Sequence, residues 1–293
     1  MFISSFTECV RQSFPFSAIS FSSNIECNNS PYEGCTFNPP RESFSLTTSA
    51  SFTSCTFTGL TSNSNGGAIA FVNNIHGVLN LLSCIFIQCR CNVAAGNNNL
   101  GGGSVCVNSP STLYAYSCIF IGCTTPGFGG GIFAERECVY STVILCTFVS
   151  CSAEIGGGMS IFFGPSSRTS SCRFISCNAD YVGGGVYHDC LTDDRSFLLT
   201  DSFFKDNSAH YESYSDRYVH RGGGAFEDYR SASYNSQYFF SFFTGNSAPK
   251  GVGNDISIHT KVLTLNNIIY CITTAKDNSL WNTQYEGYED WLP

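Results

Sequence analysis

Charge is scarce in this chain. Asp, Glu, Lys and Arg make up 12% of its 293 residues, about half the share of an ordinary globular domain. Methionine and tryptophan occur twice each and histidine five times. Helix formers are correspondingly few, and the surface must be kept polar by Ser, Asn, Thr and Gly. The 14 basic residues are outnumbered by 22 acids, for a net charge of −8. A chain with that balance lacks the basic face that phosphate backbones demand, so no nucleic-acid partner is expected. No uninterrupted apolar stretch reaches the ~18 residues of a membrane-spanning helix. The opening MFISSFTECVRQ has neither the basic start nor the sustained apolar core of a secretory leader. Ser4, Phe6 and Cys9 already fit a spacing found throughout the chain, so the expectation is a piece of a longer protein that starts inside a repeat.

What is abundant is Gly, Phe and Cys, at 28, 26 and 17 residues. They come in a fixed order. A unit C-x-F-x-x-C occurs at Cys84/Phe86/Cys89, Cys118/Phe120/Cys123, Cys146/Phe148/Cys151 and Cys172/Phe174/Cys177. Degenerate copies stand at Cys55/Phe57/Leu60, Ser202/Phe204/Asn207 and Ser241/Phe243/Asn246. Successive first positions are 29, 34, 28, 26, 30 and 39 residues apart. Glycines follow each unit, as in Gly66-Gly67, Gly101 to Gly103, Gly129 to Gly131, Gly156 to Gly158, Gly183 to Gly185 and Gly222 to Gly224. Such self-similarity marks a repeat architecture.

The unit also reveals sidedness. Its first and third positions stay Cys (or Ser) and Phe, whereas the one between is Thr56, Ile85, Ile119, Thr147, Arg173, Phe203 or Phe242. Strand side chains alternate faces, so the constant positions face a constrained interior. Further strands are expected from the glycines onward (GGGIFAE, GGGVYHD) and in runs such as VLNLL and TVILC before the next Cys. Three short strands per repeat, with no helical period, predict an all-β parallel solenoid of seven to nine coils. The glycines repeat in register with one strand, unlike the Asn-Gly or Asp-Gly hairpins of a sandwich. Residues 50–260 are the regular repeats, 1–49 partial or irregular N-terminal coils, and 261–293 a C-terminal strand, cap or linker.

Phe204-Lys205-Asp206-Asn207 followed by Gly222-Gly223-Gly224-Ala225 resembles the paired F-x-x-N and G-G-A-[ILV] motifs of chlamydial polymorphic outer membrane proteins. Gly66-Gly67-Ala68-Ile69 matches the second motif and Phe243-Thr244-Gly245-Asn246 the first. Most coils replace the Asn by Cys, a variant associated with large protist families of similar repeats. The resemblance covers about residues 50 to 260. It implies a right-handed, pectin-lyase-like β-helix displayed extracellularly or at a cell surface, often in adhesion.

Candidate sites are few. The recurrent cysteine spacing is i, i+5, not the C-x₂-C of zinc sites, and histidine is absent beside it, so no metal and no cofactor is expected. The cysteines read as a small interior ladder (Cys84, Cys89, Cys118, Cys123, Cys146, Cys151, Cys172, Cys177, with Phe86, Phe120, Phe148 and Phe174), while some disulfides stay open as an alternative. Asp193-Asp194-Arg195 reads as a polar turn, and no catalytic residue is assigned. The turn before the glycines holds 4 or 5 residues in most coils but 11 after Cys89 and 14 after Asn207. The longer excursion carries Tyr211, Tyr214, Arg217, Tyr218 and Arg221, which suit recognition of a glycan or a surface protein. The functional expectation is a non-catalytic, adhesin-like scaffold or binding module; the alternative is a carbohydrate-active enzyme, a polysaccharide lyase or glycoside hydrolase on the same fold.

Overall fold

The computed structural model describes residues 32–39, 44–71, 77–92, 101–108, 110–135, 140–162, 166–190, 196–210, 222–229, 237–248, 254–260, 268–269 and 272–273. All described regular structure is strand, and every pairing between strands is parallel. Two sheets hold nine strands each and a third holds eight, and in all three a strand bonds only to the corresponding strands one coil away. The chain is therefore a parallel β-solenoid.

The coil from Tyr140 to Phe162 shows how the sequence makes one turn. Tyr140–Ile144 lies in the first sheet with Ser141 and Val143 buried. Leu145 adopts a left-handed φ of +56° and the chain bends. Cys146 points inward, and Thr147–Val149 enters the second sheet with Phe148 buried. Ser150 (φ +51°) makes the second bend before the inward Cys151. Ser152–Ile155, expected to be a turn, forms a short strand of a fourth stack. After the glycines, Met159–Phe162 joins the third sheet. Among the described residues five turns carry this fourth strand, fewer than the seven to nine coils expected; Thr124 and Ser247 reach its column through single bridges.

The core is a column of identical rings. Phe57, Phe86, Phe120, Phe148, Phe174, Phe204 and Phe243 are buried and in register. Their neighbouring centroids lie 4.5–4.8 Å apart, with planes within 10° of parallel. That is the spacing of adjacent strands, so backbone ladder and ring stack share one period. Among the described residues eleven non-glycine positions hold a positive φ, each at roughly 1 kcal/mol of strain; all eleven stand directly before an inward Cys, Ser or Asn of the repeat unit.

Each glycine of a triplet has its own reason. Gly156 takes a φ of +68°. A Cβ on Gly157 would overlap two backbone carbonyls of the following coil, those of Asn178 and Gly184. A Cβ on Gly158 would lie 2.7 Å from the Phe174 ring and 2.6 Å from the Gly185 oxygen. The Gly101–Gly103 string is shifted by one, because Gly101 pairs with Phe128 and the left-handed residue is Gly102. Its third position is thus Ser104, as it is Ala68 one coil earlier. The middle position is glycine in every one of these coils, while two of them accept a side chain at the third. Gly157→Ala is therefore expected to destabilise the fold by about 3 kcal/mol and Gly158→Ala by about 1. Urea midpoints of the two variants check this ranking; equal or reversed losses would contradict it.

Candidate functional site

Two columns of inward side chains flank the phenylalanines. Cys55, Cys84, Cys118, Cys146, Cys172, Ser202 and Ser241 form one; Leu60, Cys89, Cys123, Cys151, Cys177, Asn207 and Asn246 form the other. All are buried, and the cysteines named here are free thiols. Cys35, at the start of the first column, is disulfide-bonded, so the thiol and disulfide readings each describe part of the chain. Most of these thiols reach back to a carbonyl of the preceding coil, as Cys84 does to Phe52 (3.3 Å) and Cys151 and Cys177 do to Phe120 and Phe148 (both 3.6 Å); Cys146 bonds Ile144 of its own coil instead. Asn207 donates to the Phe174 carbonyl in the same way (2.9 Å), and Asn246 to that of Phe204 (3.2 Å). The same side chains accept from the bend N–H one coil back, as Cys146 does from Cys118, Ser202 from Cys172 and Asn207 from Cys177.

Hydrogen bonding to the Cys118 thiol, together with burial, pushes the Cys84 thiol up to about 12. Burial first, and then neighbouring thiols, also raises Cys151. A thiol that does not ionise is no nucleophile. Among the described residues, no three His, Cys, Asp or Glu side chains are grouped to hold a metal ion.

Tyr211, Tyr214, Arg217, Tyr218 and Arg221 lie outside the described residues, as do Asp193, Asp194 and Arg195. The root of that excursion is described. Ser208 Oγ bonds Asn178 Oδ1 of the preceding coil at 2.5 Å and His210 Nε2 at 2.8 Å. A hydroxyl has one proton, and Asn178 Oδ1 can only accept it, so His210 is the donor to Ser208. The pair is consequently wired as a structural clasp rather than as a serine with its base. Fourth-stack register aligns Ser152 with Asn178 and Ser208, and the acids Glu154 and Asp180 occupy the next positions outward. Burial, followed by the Asp180 charge, raises the Glu154 carboxyl above its ordinary 4.5.

The outward faces of the four sheets are not alike. On the third sheet the outward Cys106, Phe133, Ser160 and Tyr187 are buried. Phe128 and Phe162 pack on Phe133, and Ile155, Val182 and Phe162 cluster with Tyr187, so this face is wrapped by its own chain. The first sheet is open. Register makes it a grid: Val78, Asn80 and Leu82 in one row; Thr112, Tyr114 and Tyr116 in the next; then Tyr140, Thr142 and Ile144; then Arg168, beside the buried Ser170. Tyr114, Tyr116 and Tyr140 are 45%, 46% and 50% exposed and Leu82 42%. Across the bend, the second sheet adds Ile119, Thr147 and the exposed Arg173. These tyrosines are not among the residues that the repeat pattern singles out; the alternation in TLYAY is the sequence signal for them.

No protein-family model, curated protein or solved structure matches the chain.

Two outcomes follow. In native buffer at pH 8, iodoacetamide is expected to leave Cys84, Cys118 and Cys146 unmodified and to label them in urea, read by mass spectrometry; native labelling at the rate of an exposed thiol would refute the protonated ladder. Folding favours protonated Glu154, so its favourable contribution is whole below pH 4.5 and is lost as pH rises through the raised value. Glu154→Gln should then be more stable than the parent at pH 7 and match it near pH 4 in urea titrations; a gain independent of pH would argue against burial as the cause.

Proposed function

We propose that the chain is a non-catalytic β-helix scaffold that presents a binding face, an adhesin-like module for glycan or protein at an extracellular surface. The observation that carries this reading is the contrast between inside and outside. The interior reactive groups are buried, protonated or bonded to neighbouring coils, while one open outer face carries three exposed tyrosines on two adjacent coils. Exposed aromatic patches of this kind mark interaction surfaces. The pectin-lyase-like kinship, and the likeness to chlamydial polymorphic outer membrane proteins, belong to the same proposal. What supports them is that Cys and Asn stand in one column and make the same bond to the preceding phenylalanine carbonyl.

The test separates binding from turnover. The folded chain should bind to a glycan array or to cells, and should release no product from polyuronide or neutral polysaccharides with added Ca²⁺. Shortening of any polysaccharide, measured by reducing ends, would favour the enzyme alternative. Failure to bind any glycan, cell or protein preparation would refute the module.

A further inference from the structure

The tyrosine grid has an electrostatic character opposite to that of the whole chain. Of the 22 acids, 15 lie from Asp180 onward. Among the described residues that face outward on the first two sheets and their bends, from Ala50 to Ser176, there is no Asp or Glu. The charged side chains on that face are Arg168 and Arg173, both exposed, on one coil and on either side of the Ser171 bend. Neither arginine has an ion-pair partner among the described residues.

We propose that this face binds a glycan carrying carboxylate or sulfate groups. Tyr114, Tyr116 and Tyr140 are the platform; Arg168 and Arg173 are the anion contacts. The inference rests on the binding-module reading and names its partner class. The rows stand ~4.8 Å apart, so Arg168 lies about 10 Å along the rod from Tyr114, in the same column. A sugar ring offers an apolar C–H face to an aromatic ring and hydroxyls to polar neighbours, here Asn80 and Thr142. Arginine's planar fork matches carboxylate or sulfate oxygens in pairs. Charge complementarity selects the anionic partner: the nearest acid among the described residues is Asp201, at the bend one coil beyond Ser171, and with a Debye length of about 8 Å the acids farther along the rod are weakly felt. An acidic peptide fits less well. The central strands of the grid are paired on both sides, so no edge is open there for strand addition.

The experiment is titration of the folded chain with an oligogalacturonate and a heparin oligosaccharide, and with a neutral cello-oligosaccharide of similar length. Both anionic probes are expected to bind at least tenfold more tightly than the neutral one, with affinity falling as salt rises. Arg168→Gln with Arg173→Gln should bring the anionic probes to the neutral level. Tyr114→Ala with Tyr140→Ala should weaken them about tenfold. Circular dichroism controls for folding of these surface variants. Equal affinity for charged and neutral probes, or an arginine variant that binds as the parent does, overturns the proposal. Loss of binding only on deletion of residues 211–221 overturns it too, but leaves the binding module standing, as does binding to cells or protein with none to these probes.

Discussion

The structure depends on what happens to backbone groups where the chain bends inward. At each of the two bends around the phenylalanine strand, a residue with positive φ turns the next N–H away from the ladder of its own sheet. That group is buried, and a buried N–H without a partner costs about 1–3 kcal/mol. The side chain from the next coil supplies the partner: a thiol at Cys118, a hydroxyl at Cys172, an amide at Cys177. Asn207 also donates back to the Phe174 carbonyl of the preceding coil, whereas Cys146 and Ser202 donate to the Ile144 and Thr200 carbonyls of their own coils. Cys, Ser and Asn are interchangeable here because each is short, fits the interior column, and can accept as well as donate. This requirement recurs every turn, so the residue choice recurs too.

Stacking then propagates the constraint. Rings 4.5–4.8 Å apart fill the space between the two bend columns, and each buried ring contributes about 2–3 kcal/mol of apolar burial. The third corner has no side-chain device of this kind. There the backbone of adjacent coils approaches so closely that a Cβ at Gly157 would overlap two carbonyls of the next coil. Two corners solve the bend with a polar side chain, and one solves it by having none. The scarcity of charge follows from the same geometry: inward positions are filled mainly by apolar or short polar side chains, and the wrapped face of the third sheet removes a further set of outward ones.

Much of this was legible in the sequence. The C-x-F-x-x-C order predicted strand, alternation and parallel stacking, because the period of two within a unit and the period of about 28 between units are both written in residue identity. The short fourth strand at Ser152–Ile155 was read as a turn, since four mixed residues carry no alternation and their pairing comes entirely from the coils on either side. The one-residue shift of Gly101–Gly103 was equally hidden, because three identical letters do not say which of them bends. The clasp of Asn178, Ser208 and His210 joins residues about 30 positions apart, and only coil stacking brings them together.

The tyrosine grid was missed for a different reason. Attention to where the repeat is broken directs the eye to inserted segments, yet Tyr114, Tyr116 and Tyr140 sit at regular outward positions of ordinary coils. In a solenoid the outward positions are the ones that the packing rule leaves free, since every inward one is claimed by the stack. A repeat that cannot vary inside can still write a surface, three columns wide and one row per coil, without disturbing its own fold. The wrapped third sheet closes one such surface, and the open first sheet keeps another. Recognition in this architecture therefore needs no departure from the repeat, only a choice of residue at positions where the repeat makes no demand.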